Sequence, residues 1–225
     1  MVVQVITAAF AKSAETTMKR SFLTFSIVFL MIVTTAVDSF ACACCAERGT
    51  YIVETSTPSS YVRGLFKDMR FDTTASLYLT AGEFEAMKGL ADIEKEYDAG
   101  TMGDFNLVDS YTGNTWRLTF KSPGGKTAVL ALPRPSKLTS RKIEIPDNTS
   151  TAPDITLYKE FSFSGTVGSG SGFFRRGIIK PTKYTLIFQG KGNMCDNAED
   201  FSNWKLLIDG PKADYQFFGK MKAAS

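Results

Sequence analysis

The densest set of side-chain oxygens in the chain lies at Asp196, Asn197, Glu199 and Asp200, directly after Cys195 and inside the stretch YTLIFQGKGNMCDNAEDFSNW from Tyr184 to Trp204. Several chemistries fit such a cluster. Carboxylates gathered on a loop are the usual source of the six to eight oxygens that Ca2+ takes, which makes these four residues a candidate cation site. The pattern is not an EF-hand, whose glycine and distal glutamate are missing. The same acids could hold the hydroxyls of a sugar, with Trp204 or Phe201 as a stacking surface. A catalytic reading pairs Glu199 with Asp200 for glycoside cleavage, although such pairs normally come from separate strands a defined distance apart. The plainest alternative has Asp196 or Asn197 capping a short helical turn, the remaining oxygens solvated, and Cys195 fixing the loop.

A second constellation is sulfur. Cys42, Cys44 and Cys45 form a CxCC cluster far from Cys195, the only other cysteine. In an oxidising compartment all four are expected in disulfides, with Cys44 or Cys45 reaching Cys195 and the others closing as Cys42–Cys45 or staying free. The alternative is a thiolate site for zinc or copper(I), which the spacing supports weakly because tetrahedral sulfur sites usually come as two separated pairs. A third constellation, Phe173-Phe174-Arg175-Arg176, sets adjacent aromatics and arginines beside a glycine-rich stretch. It could stack on a flat ligand or sugar ring, or be an ordinary strand start with solvated arginines.

Histidine is absent from the 225 residues. That removes Ser/His/Asp and Cys/His nucleophile arrangements, imidazole-bound metals and the usual general base near neutral pH. Any catalysis must then run on carboxylates, lysine, tyrosine or a metal held by oxygen or sulfur, and an enzyme is the less expected outcome. The net charge is +3, too small an excess to suggest nucleic acid as a partner. A hydrophobic fraction of 44% with 22% charged residues is that of an ordinary globular chain.

The elements that must position these groups begin after a leader. Lys19-Arg20, the apolar run Phe22–Val33 and the small residues Ser39 and Ala41 follow the order of a secretory signal peptide, with cleavage after Ala41 or Ala43. The apolar run is short for a membrane span, and Ser39-Phe40-Ala41 suits lipidation of Cys42 poorly. Residues 1–41 are therefore read as a removable leader, 42–49 as a cysteine-rich segment and 50–225 as one β-rich domain, secreted or held in the periplasm or cell envelope.

Within that domain, short runs of β-branched and aromatic residues are punctuated by Gly, Pro and Asn. Trp116, Leu118 and Phe120 alternate with polar neighbours, as do Tyr184, Leu186 and Phe188, and Trp204, Leu206 and Ile208. The cleanest alternation puts Ile155, Leu157, Phe161, Phe163 and Val167 on one face; Lys159 breaks it and is expected to snorkel to water. SPGGKT at 122–127 has no glycine where a phosphate loop needs one and reads as a hairpin turn. Gly165–Gly172 reads as a mobile connection. Helical spacing of Phe84, Met87 and Leu90 predicts one lateral helix near 82–97. The expected architecture is mainly β: a two-sheet sandwich or closed β-barrel of about ten antiparallel strands with that helix, a barrel with an interior ligand pocket being the chief rival. The expected function is an exported, non-catalytic binding or surface-interaction domain for a small molecule or glycan. Metal handling by the CxCC cluster and carboxylate-based glycoside hydrolysis are the alternatives.

Overall fold

A computed structural model describes residues 51–78, 89–90, 93, 103–145 and 156–222. The chain divides into two units, 1–43 and 44–225, and all described residues belong to the second. The leader and the CxCC cluster lie outside the described residues.

The second unit is mainly β. Its elements are β1 (Tyr51–Ser56), α1 (Ser60–Asp68), β2 (Thr74–Leu77), β3 (Gly103–Thr112), β4 (Thr115–Lys121), β5 (Thr127–Pro133), β6 (Leu138–Glu144), β7 (Leu157–Thr166), β8 (Ser169–Gly170), β9 (Lys183–Gly192), β10 (Phe201–Gly210) and β11 (Ala213–Lys220). All eleven strands form one antiparallel sheet in the order β1-β6-β7-β9-β10-β11-β2-β3-β4-β5-β8. Two facing sheets are not seen, and the strand pairing does not close into a ring. Only Val167 and Gly168 separate β7 from β8, yet these strands stand third and last in that order. So short a link requires the sheet to curl back on itself, as strongly twisted sheets of this size do.

The alternation read in β4, β7, β9 and β10 sets the inner face. Leu118, Phe120, Phe161, Phe163, Leu186, Phe188, Leu206 and Phe217 are all at most 1% exposed. Aromatic rings fill the interior. Phe105, Phe120, Phe174 and Phe217 interlock with centroids 4.6–6.0 Å apart, and Trp116, Phe163 and Phe188 form a second group. Such packing fills the described part of the core with interlocking rings.

Of the span 82–97, where the spacing predicts a helix, only residues 89, 90 and 93 are described, and none of them is helical. Gly89 has φ +98° and Leu90 lies outside any helix, so no continuous helix crosses that point. Both Leu90 and Ile93 are fully buried. Gly89 is required there, because a Cβ would approach the carbonyl oxygen of Lys212 to 2.5 Å. The helix that forms, α1, begins where Ser59 follows Pro58 and its hydroxyl accepts from the Val62 N–H at 3.2 Å. Val62, Leu65, Phe66 and Met69 share one face. Phe66 enters the aromatic core edge-on against Phe163 (5.1 Å) and Phe161 (6.3 Å), while Tyr61, Arg63 and Lys67 stay exposed.

The glycine-rich stretch is packed, which corrects the expectation of a mobile connection. Gly168 and Ser171 donate backbone hydrogen bonds to Ala131 and Val129 at 2.8 and 2.9 Å. A Cβ on Gly170 would come within 2.6 Å of Ile178. These glycines permit close approach.

Three tyrosines make the fold sensitive to alkali. Tyr158 is pushed up to about 12, first by burial and then by the Glu160 carboxylate that accepts its hydroxyl proton at 2.8 Å. Burial alone raises Tyr215, and it is the main cause for Tyr184. In each case folding favours the neutral phenol, so the native chain keeps protons that the unfolded chain releases. Stability should therefore be intact below the ordinary value of 10.0 and decline as pH rises towards 12 and beyond. Urea titrations at successive pH values check this; a flat midpoint across that window would contradict it.

Candidate functional site

The four clustered oxygens have different fates. Asn197 and Asp200 bracket a 3-10 turn, Ala198–Asp200, as a capping box: the Asp200 carboxylate accepts from the Asn197 backbone N–H at 3.1 Å, and the Asn197 side chain faces the Asp200 N–H. Asp200 is turned inward and its neighbour Glu199 outward. The two carboxylates proposed as a glycosidase pair thus face different surroundings.

What Asp200 meets is Lys159. Lys159 is fully buried on the inner face of β7, which corrects the expectation that it snorkels. Its ammonium donates to Asp200 Oδ2 at 2.5 Å and to the Cys195 carbonyl, and lies 3.7 Å from Asp196 Oδ1. Its register partner across β6, Lys142, donates to the Met194 carbonyl at 2.9 Å and pairs with Asp196 Oδ1 at the same distance. Two lysines side by side would repel; two carboxylates folded over them balance the charge. A buried ammonium needs this, since desolvating it without partners is prohibitive.

The loop therefore works as a latch. Met194–Asp200 lies over the β6–β7 ladder, and the Tyr61 hydroxyl of α1 donates to the Asp196 carbonyl at 2.9 Å. Gly190 and Gly192 on β9 make room for it, because a Cβ on Gly190 would fall on the Asp200 carbonyl and one on Gly192 on the Asp200 carboxylate. Among the described residues no three Asp, Glu or Cys side chains gather where a metal ion could sit. The point on which Asp196 and Asp200 converge holds the Lys159 ammonium.

The aromatic candidates are interior residues. Phe173 and Phe174 lie in a 3-10 turn at 3% and 0% exposure, and Trp204 is 1% exposed against Phe71 at 5.1 Å. Phe174 and Trp204 offer no face at the surface, whereas Phe173 edges a shallow groove with Lys126 and Thr127. Arg175 and Arg176 are exposed beside the first two. Cys195 is engaged with a partner; the three leading cysteines lie outside the described residues.

What spacing did not single out is Lys159, Lys142 and Tyr61. Lys159 carried a signal, the one charge on the apolar side of the cleanest alternation. Tyr61, 59% exposed, edges a groove of about 610 Å³ between α1 and the latch, lined also by Leu65, Lys67, Asp68, Arg70, Asn197 and Glu199. Among the described residues no helix is long and apolar enough to cross a membrane. Comparison with protein-family models, curated proteins and solved structures gave no significant match.

Proposed function

We propose that this chain is an exported, non-catalytic interaction domain that binds a glycan or similar hydroxyl-rich ligand in the groove between α1 and the latch. The observation that carries the reading is the groove itself. It combines an exposed tyrosine ring with Asp68, Arg70, Asn197 and Glu199, an apolar platform fringed by donors and acceptors of the kind that hold sugar hydroxyls. Asp200 is occupied by Lys159, which leaves Asn197 and Glu199 as the acidic-turn groups turned to the groove.

The curled sheet is read as a barrel-like body whose mouth is plugged by Phe66, with β8 carrying the chain of β7 onto β5. Cys195 is proposed to close a disulfide with Cys44 or Cys45, which the disulfide state of Cys195 supports. Closing a loop of this length would contribute on the order of 5 kcal/mol. Thiol titration of the exported protein tests it: free thiols in equal number to the cysteines would exclude the pairing.

Binding to an oligosaccharide panel tests the groove. Tyr61→Ala should weaken retention by about tenfold or more, the loss of one ring contact of about 1.4 kcal/mol, while Tyr61→Phe keeps most of it. Absence of binding across the panel, or equal binding by Tyr61→Ala, would remove the reading.

A further inference from the structure

The opposite flank of α1 carries a different chemistry. A second groove, of about 420 Å³, separates the helix from the β3–β4 hairpin and is lined by Ser60, Arg63, Lys67, Tyr111, Asn114 and Arg134. Three of these are cations and none is an acid. Among the described residues, none of the three cations makes an ion pair, although the chain's net charge is only +3. Arg63 and Lys67 stand four residues apart on α1, and Arg134, just after the end of β5, lines the same groove.

Arg134 is held for the purpose. The hairpin turn is of the mirror-image type, with Gly113 at φ 56° and Asn114 at φ 71°. That turn presents the Asn114 side chain, whose Oδ1 accepts from Arg134 Nε at 2.5 Å and from the Tyr111 hydroxyl at 3.2 Å. Asn114 Nδ2 donates to the Arg134 carbonyl at 3.1 Å, and the Arg134 N–H donates to the Asn114 carbonyl at 2.9 Å. The guanidinium lies over the Phe66 ring, 5.5 Å from its centroid. Its Nη1 is buried without an acceptor. A charged donor so fixed and left unsatisfied is costly unless something supplies the acceptor. Arg63 is braced too, its Nη1 donating to the Pro58 carbonyl at 2.5 Å.

We propose that this groove binds a phosphate monoester, the dianion seated between Arg63, Lys67 and Arg134 and the rest of the ligand extending along the groove. Planar guanidinium forks match phosphate oxygens in pairs, and a dianion balances three converging cations better than a carboxylate does. The site shares Lys67 with the glycan groove, but Arg63, Arg134 and the Asn114 turn belong to it alone, and it does not depend on that reading.

Titration calorimetry of the full chain at constant ionic strength tests it with inorganic phosphate, pyrophosphate and acetate. Flotation with phosphatidylcholine vesicles, with and without phosphatidate, tests a lipid-borne phosphate. Phosphate or pyrophosphate should bind at one saturable site and raise the melting temperature, and acetate should bind much more weakly. Because Arg63 and Lys67 are exposed, the double variant Arg63→Gln/Lys67→Gln should fold normally and bind at least about tenfold less tightly. A soluble response assigns a small phosphorylated ligand; a response confined to phosphatidate vesicles assigns a lipid headgroup. No saturable site in either arm, acetate binding as tightly as phosphate, or unchanged binding by the double variant overturns the proposal.

Discussion

Lys159→Met should cost about 3–5 kcal/mol of stability, the range expected when one partner of a buried ion pair is removed and the other is left uncompensated. The methionine fits the volume, so packing is not the reason. Asp200, whose side chain is 12% exposed, would keep its charge with only the Asn197 N–H to answer it, and Asp196 would keep Lys142 alone. The Cys195 carbonyl would lose its donor as well. In a chain of this size the loss corresponds to roughly 10 °C in melting temperature. The double variant Lys159→Met/Asp200→Asn should recover most of it, because the amide can still accept from the Asn197 N–H and no charge is stranded. Denaturant unfolding of the two single variants and the double gives the coupling directly. A Lys159→Met protein within about 1 kcal/mol of wild type would mean that the ammonium is not what holds the loop down.

Phe66→Ala should be comparably severe, about 3–5 kcal/mol, the usual cost of deleting a fully buried phenyl ring. Phe66 is the residue by which α1 enters the core, touching Trp116, Phe161 and Phe163 edge-on and lying under the Arg134 guanidinium. A helix of nine residues has little stability of its own, so losing that anchor should release it from the sheet. Both flanking grooves should be lost with it, while the β signal in circular dichroism persists up to the lowered melting point. Phe66→Leu, which keeps most of the apolar volume, should retain the helix at a cost nearer 1 kcal/mol. Loss of the whole sheet in Phe66→Ala at low temperature would show that the helix is needed for the body itself.

The strands that were legible in the sequence are those whose inner positions are apolar without interruption. Trp116-Leu118-Phe120 and Tyr184-Leu186-Phe188 needed only the two-residue period. The mainly β class followed from them. Strand order did not, because β1 joins β6 and β11 joins β2 over separations no local pattern encodes. Helix α1 was not legible because its nine residues offer little more than one buried phenylalanine, one buried leucine and a Ser cap after Pro58. Gly165–Gly172 looked flexible because composition alone cannot separate a glycine chosen for freedom from one chosen for lack of a side chain. The candidate loop was found by its oxygens, but its counter-charges are contributed by strands some 40 and 50 residues earlier. No window along the chain contains both halves.

The latch also divides this surface by its tolerance of change. Gly190 and Gly192 fill places that no side chain could take without shifting Asp200, and the charges of Lys159 and Asp200 answer each other. The outward residues of α1 stand a few ångströms away with few such obligations. New recognition properties should therefore arise along the helix while the body beneath is inherited unaltered, and a designer wishing to retarget the domain would vary Tyr61, Arg63 and Lys67 before touching anything in the acidic turn.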